Sequence, residues 1–144
     1  RYEPRREEFR ERRPIQWTKI DEMSPGDDRI NIIVKVVFLL FAVISEELVQ
    51  GKRAMLRCTL GDDTGLVRAF LPDEPALRVG KSVVLFDCEA RVVKEHIEVQ
   101  LGRSGRIDVA RKEVDRVNEK FNLSDKSWVP VNNDCKYDLD SFQI

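Results

Sequence analysis

The sequence has 144 residues, of which 42% are apolar and 35% are charged, and its formal net charge is −1. This length fits one domain with tails, and the apolar fraction is sufficient for a buried core. The balanced charge argues against a protein that binds nucleic acid through its overall electrostatics, so any basic site has to be a local patch.

The three cysteines, Cys58, Cys88 and Cys135, are far apart and form no CxxC or Cys/His ligand pattern. This spacing argues against a metal site and against a disulfide framework. We therefore expect no cofactor, and a reducing, intracellular environment, whether nuclear, cytoplasmic or organellar.

Residues 1–14 form a charged N-terminal arm that contains six Arg and four Glu. Its composition favours a solvated, weakly structured segment. The alternative is a basic arm that contacts phosphate groups or an acidic partner.

The most apolar stretch of the chain is Ile30–Ile44, in which only Asn31 and Lys35 are polar. Its β-branched and aromatic residues predict a strand rather than a helix, and a membrane span needs roughly 20 apolar residues. The first half is apolar on one face, whereas the second half is apolar on both. This pattern fits the bent first strand of a small barrel, or a strand end that a protein partner covers.

Four further strands are predicted over residues 53–60, 66–71, 81–90 and 91–102, with a hairpin turn at residues 61–65 and another turn between Gly102 and Gly105. Val114, Val117 and Phe121 follow at helical spacing and predict a C-terminal helix over residues 108–121. Residues 122–144 form a polar C-terminal tail. The sum is an all-β fold: a five-stranded antiparallel Greek-key barrel of the OB type over residues 15–107, with a C-terminal helix and flanking tails.

The order of four segments carries a family likeness: KIDEMSPGDDRINIIVKVV, LGDDTGLVRAFLPDE, VGKSVVL and IEVQLGRSGRIDV. Over residues 17–131 the chain resembles the small OB-fold proteins of the SOSS-B and replication protein A type, which bind single-stranded nucleic acid. It is still more similar to uncharacterised plant OB-fold proteins of that group, in which the barrel is followed by a segment like VNEKFNLSDKSWVPV. The resemblance implies that one outward sheet face holds single strands of DNA or RNA.

Departures from the family pattern weaken that expectation. The positions at which relatives carry stacking aromatic residues fall on Pro72, Glu89, Val93 and Gln100. Each lost stacking contact costs roughly 1–3 kcal/mol per base.

We expect no enzymatic activity, because no carboxylate pair and no Ser/His/Asp or Cys/His arrangement is identifiable, and the single histidine lies on an outward strand position. Two binding hypotheses remain. The first is weak or non-specific binding of single-stranded nucleic acid within a larger complex, through Lys35, Arg57, Arg68, Phe70, Arg91, Lys94, His96 and Arg103.

The second hypothesis is an OB-fold subunit that contacts a protein partner or a second copy and has no nucleic-acid binding of its own. It assigns the contact to residues 38–44, chiefly Leu39, Phe41 and Val43, together with the predicted helix or the tail. No membrane association is expected under either hypothesis.

Overall fold

The structure is a computed structural model that describes residues 14–42, 54–131 and 136–139, with only the backbone described at residues 41, 42, 130, 131 and 136–139. Five strands close a barrel in the spatial order β1-β2-β3-β5-β4. Their bounds are β1 Ile30–Ala42, β2 Met55–Asp62, β3 Gly65–Pro72, β4 Ser82–Val93 and β5 His96–Val109. The predicted five-stranded barrel is therefore confirmed. Neighbouring strands are antiparallel, except that β3 and β5 meet in a short parallel contact.

Alternating apolar residues of the five strands fill the barrel, because successive side chains of a strand point to opposite faces. Fully buried members come from every strand and include Val34, Leu60, Val67, Leu85 and Ile97. Two fully buried core residues come from outside the strands: Ile20, in a short 3₁₀ turn at Ile20–Glu22, and Leu77, in the connection between β3 and β4.

The predicted helix over residues 108–121 is wrong. β5 extends to Val109, and residues 110–122 continue without helical structure to a 3₁₀ turn at Leu123–Asp125. No α-helix occurs in the described part of the chain, and hence none that is long and apolar enough to cross a membrane. We call residues 110–127 the C-terminal strap.

The strap lies in an irregular conformation along the barrel because its apolar side chains find partners there. Val117 and Phe121 fit against Gly61 and Gly65, where a Cβ atom would approach within 2.5 Å and 2.4 Å of their side chains. The backbone is held as well, since Asn118 N donates to the Asp62 carbonyl at 2.9 Å. The helical spacing of Val114, Val117 and Phe121 therefore does not require a helix, because the segment that carries them packs on the surface of the barrel.

The predicted turn between Gly102 and Gly105 is also wrong, because β5 runs through both glycines. The predicted boundary between the fourth and fifth strands at residues 90 and 91 is displaced as well: β4 continues to Val93, and the turn is at Lys94–Glu95, where both residues have positive φ. The two glycines permit a close approach: a Cβ at either would lie 2.8 Å from the Asp87 carbonyl oxygen. They let β5 bend around the bulge of β4 at Asp87.

The predicted arm lies outside the described residues, apart from Pro14. In the predicted tail, Trp128–Val131 (β6) and Lys136–Leu139 (β7) pair as a two-stranded antiparallel sheet.

Candidate nucleic-acid interface

The outer face of β2, β3 and β5 brings together side chains that the sequence scatters over more than forty positions. Arg57 lies opposite Phe70, Thr59 lies opposite Arg68, and Arg68 lies opposite Glu98. Cross-strand neighbours of this kind have Cβ atoms about 4.5–5.5 Å apart, so they form one surface. We call this surface the central face.

Arg57 is the centre of the face. Its guanidinium carbon lies 5.0 Å from the centre of the Phe70 ring, and its Nη1 lies 3.2 Å from Glu98 Oε2. Gln100 Nε2 donates to the other oxygen of Glu98 at 2.8 Å. The only aromatic ring predicted for this face is thus covered on one side by an arginine, a stacking arrangement that arginine and aromatic rings favour.

The strap holds two other predicted contact residues. Arg68 Nη2 donates to the Ser124 carbonyl at 3.2 Å, and His96 Nδ1 lies 2.9 Å from the Lys126 carbonyl. Ser124 is fully buried between the strands: its Oγ accepts from Arg68 N and donates to the Ile97 carbonyl. Its hydroxyl therefore joins β3 to β5 beyond their short parallel contact, and His96 is a fixed, half-buried residue rather than a free surface ring.

The remaining predicted cations are distributed unevenly. Arg91 lies opposite Glu98 and extends the central face onto β4, with Glu89 Oε1 3.8 Å from its Nη1. Lys94 is exposed at the tip of the β4–β5 turn. Lys35 lies opposite Ser82, to which the strap is bonded, and Arg103 lies at the bend of β5, so neither belongs to the central face.

A bulge in β1 reverses the predicted assignment of inward and outward side chains in the part of the strand that was expected to bind a partner. The pairing of β1 with β2 shifts register between Val36 and Phe38, so one extra residue changes which side chains point outward. Leu39 packs against the core, whereas Phe38 and Leu40 are 56% and 53% exposed. The backbone of Phe41 belongs to β1, and Val43 lies outside the described residues.

A shallow groove of about 190 Å³ connects the two exposed side chains with the central face. Its lining includes Phe38, Leu40, Arg57, Thr59, Arg68 and Glu98. The sequence includes Phe38 and Leu40 only within the range 38–44 that is expected to contact a protein partner, and it assigns no binding role to Thr59 or Glu98. The alternation of Glu98 with Ile97 and Val99 does place it on the outward face, but the bulge that exposes Phe38 has no signal in a run of apolar residues.

Metal binding and thiol chemistry are two further possibilities for the described residues. They contain no group of three or more His, Cys, Asp or Glu side chains placed to hold a metal ion. Cys58 and Cys88 are buried, and desolvation is the main reason that the pKa of each thiol is raised to about 12. Neither thiol is an activated nucleophile at neutral pH.

Comparison with solved structures identifies the barrel type. A hypothetical protein from Arabidopsis thaliana aligns with a TM-score of 0.64 at 21% identity, covering 78% of this chain and 86% of its own. The OB domain of a Methanosarcina mazei protein aligns with a TM-score of 0.57 at 21% identity, covering 69% and 88%. The OB domain of a Thermoplasma acidophilum protein aligns with a TM-score of 0.55 at 16% identity, covering 73% and 96%.

The chain has an OB-fold. No family model matches the sequence, and no curated protein matches it. At these identities the likeness shows the fold alone.

Proposed function

We propose that this protein binds single-stranded nucleic acid on the central face of its OB-fold, as a weak and sequence-tolerant contact within a larger complex of the replication protein A-like type. The observation that carries the proposal is the Arg57–Phe70 pair beside Arg68. A base can stack on the exposed side of such a pair while the guanidinium groups contact phosphates. The five-stranded OB barrel commonly presents this face to oligonucleotides.

Weak affinity follows from the composition of the face. Phe70 is its only aromatic residue, and Glu98 and Glu89 lie 3.2 Å and 3.8 Å from Arg57 and Arg91. Each carboxylate compensates a cation that would otherwise attract phosphate. The dissociation constant should therefore fall in the non-specific range, roughly 10⁻⁴ to 10⁻⁶ M near physiological salt.

Fluorescence anisotropy with labelled single-stranded DNA and RNA tests the proposal. Two or three phosphate contacts predict a slope of log K against log salt of about −1.4 to −2.1 for a single strand. Arg57→Ala and Arg68→Ala should each reduce the slope by about 0.7, because each removes one contact. Glu98→Gln should raise the affinity, since it removes a negative charge from beside Arg57.

Lys112→Ala is the matched control, because Lys112 is an exposed cation on the strap and lies outside the central face. Its slope and affinity should equal those of the unaltered protein. Absence of binding at micromolar protein in low salt, or equal losses in the Lys112 and Arg57 variants, would contradict the proposal.

A second candidate function is protein interaction without nucleic-acid binding. The exposure of Phe38 and Leu40 side by side on β1 favours it, because a soluble monomer rarely leaves large apolar side chains together in solvent. This surface borders the groove, so one subunit of a complex could use both surfaces.

A further inference from the structure

A second aromatic cluster lies away from the central face, on the outer face of the sheet that β1, β4 and the end of β5 form. Phe86 of β4 lies opposite Arg106 of β5, whose guanidinium carbon is 4.2 Å from the centre of the Phe86 ring. The ring centres of Trp17 and Phe86 are 5.9 Å apart, with 50° between the planes. We call these three side chains the Trp17 platform.

The backbone beneath the Trp17 platform is fixed by one residue, Asn31. Thr18 N donates to the Asn31 carbonyl at 2.9 Å, which holds the segment that carries Trp17 beside β1. Asn31 Oδ1 accepts from Asp87 N at 3.0 Å, which holds the bulge next to Phe86. Both aromatic residues are therefore placed before any ligand arrives, and this placement reduces the entropy cost of binding.

The contacts within the Trp17 platform leave parts of the Trp17 and Arg106 side chains accessible to a ligand. Trp17 is 45% exposed, although tryptophan is on average a highly buried residue. Its indole N–H makes no hydrogen bond to another described residue. Arg106 donates through Nε to Asp108 at 3.1 Å, which leaves its terminal nitrogens for a further acceptor. A flat ring surface, a free N–H group and a guanidinium group thus face solvent together.

We infer that the Trp17 platform is a second contact site for single-stranded nucleic acid, where a base stacks on Trp17 and a phosphate binds Arg106. A nucleic-acid strand fits better than an apolar peptide because it offers planar rings and negative charge in alternation. The inference rests on the proposed function and adds a site to it. It also locates aromatic stacking outside the central face, where Glu89 and Gln100 occupy positions that suit aromatic residues in the family pattern.

The two sites lie along one ribbon, so a single strand can reach both. β4 and β5 pair from the Arg91–Glu98 position on the central face to the Phe86–Arg106 position of the Trp17 platform. Phe86 and Arg91 are five steps apart along β4, which is roughly 16 Å along a strand. An oligonucleotide of about 16 nucleotides, the upper end of the site size of an OB-fold, is long enough to span them.

The experiment uses Trp17 as its own reporter. The chain has two tryptophans, and Trp128→Phe leaves Trp17 alone. This change should be tolerated, because it removes a buried indole N–H that has no partner among the described residues. A 16-nucleotide single strand is titrated while tryptophan emission and anisotropy of a labelled strand are followed under the same conditions.

Saturable quenching of Trp17 with the same midpoint as the anisotropy change is the expected result. Trp17→Ala should weaken binding about 5- to 160-fold, the loss expected for one base stack. Ile15→Ala is the matched control, because Ile15 is exposed in the same segment, and its affinity should stay unchanged. Thermal melting of each variant checks that the barrel remains folded.

Binding without any change in Trp17 emission, or equal affinities of the Trp17→Ala and Ile15→Ala proteins, would overturn the Trp17 platform and leave the central face as the binding site. No anisotropy change at low salt with the unaltered protein would overturn both proposals. Binding that is weakened by Trp17→Ala but not by Arg57→Ala or Arg68→Ala would support the Trp17 platform and overturn the central face as a binding site.

Discussion

Two neighbouring aspartates show how differently one residue type acts in this molecule. Asp62 is 1% exposed, and its carboxylate accepts from four donors: Thr64 N, Thr64 Oγ1, Gly65 N and Ile20 N. It therefore ties the β2–β3 turn to the 3₁₀ turn at Ile20–Glu22. Asp63 is exposed and pairs with Lys19 at 2.7 Å, a hydrogen bond that is the main cause of the lowered pKa of Asp63.

Asp62→Ala should lower the free energy of unfolding by about 2–4 kcal/mol, because it leaves buried donors without an acceptor. Asp63→Ala should cost about 0–1 kcal/mol, the usual value for an exposed ion pair. Urea denaturation of both variants measures the difference. The small Asp63 contribution should be present above the ordinary carboxyl pKa and lost as the pH falls below it, because the folded pKa is lowered. Equal costs for the two variants would contradict the assigned role of Asp62.

The sequence predicts a turn at residues 61–65, but it does not indicate which of these two carboxylates contributes more to stability. Asp62 and Asp63 are adjacent, and their difference arises because Ile20, more than forty positions away, presents its N–H to only one of them. The same limit applies to Glu98, whose ion pair with Arg57 joins strands that are distant in the sequence. Local patterns locate the turn and the strands, whereas partners across the barrel decide what each side chain does.

At the scale of elements, the strap depends on glycines that the sequence presents as turn residues. A Cβ at Gly61 would lie 2.5 Å from Val117 Cγ1 and 3.0 Å from Leu66 Cδ2. Gly61 does not have a positive φ, so glycine is required there because of the space that it leaves for Val117 and not because of its backbone conformation. The strap in turn supplies Ser124 and the Lys126 carbonyl to Arg68 and His96.

Gly61→Ala tests the docking of the strap through the size of its effect. With the strap docked, the added methyl group should lower the free energy of unfolding by about 1–3 kcal/mol through overpacking, chiefly against Val117. With an undocked strap, the cost should be smaller, because only the looser approaches to Leu66 and Val37 would remain and alanine restricts the unfolded chain. Denaturation of Gly61→Ala, Val117→Ala and the double variant measures the coupling. The double variant should be more stable than the two single effects predict by at least about 0.5 kcal/mol. An additive result would contradict contact between these two residues.

The strands were predictable because burial on one face imposes a period of two, and Leu56, Leu60, Val67 and Ile97 follow it. The C-terminal helix failed because the spacing of Val114, Val117 and Phe121 also fits a strap whose partners lie on another element. The prediction of which β1 side chains point outward was wrong beyond Val37, because residues 36–41 are all apolar and no side chain marks the bulge. The Lys94–Glu95 turn contains neither Gly nor Asn, so the usual signal for positive φ is absent.

At the scale of the molecule, three distinct regions lie on the surface of the described residues: the central face, the Trp17 platform and the apolar end of β1. The β4–β5 ribbon joins the first two, and the groove joins the first to the third. These connections depend on the closed barrel. Residues of β1, β2 and β5 lie near one another only because the strands close in the order β1-β2-β3-β5-β4. A ligand and a protein partner can therefore occupy neighbouring surfaces of one domain.

If the apolar end of β1 is an interface between copies of the chain, purified protein should associate in a concentration-dependent way in analytical ultracentrifugation. Phe38→Ser combined with Leu40→Ser should abolish the association and leave the melting temperature nearly unchanged, because both side chains are already exposed. Serine keeps the net charge, so the effect would report loss of apolar contact rather than repulsion. Leu39→Ser is the matched control: Leu39 is partly buried against the core, and its loss should destabilise the barrel by about 0.5–3 kcal/mol. A protein that sediments as a monomer at every concentration, with or without the double substitution, would contradict self-association through β1. If Leu39→Ser abolished association without destabilising the fold, the outward position of Phe38 and Leu40 would itself be contradicted, because the bulge at Val37 places Leu39 inside.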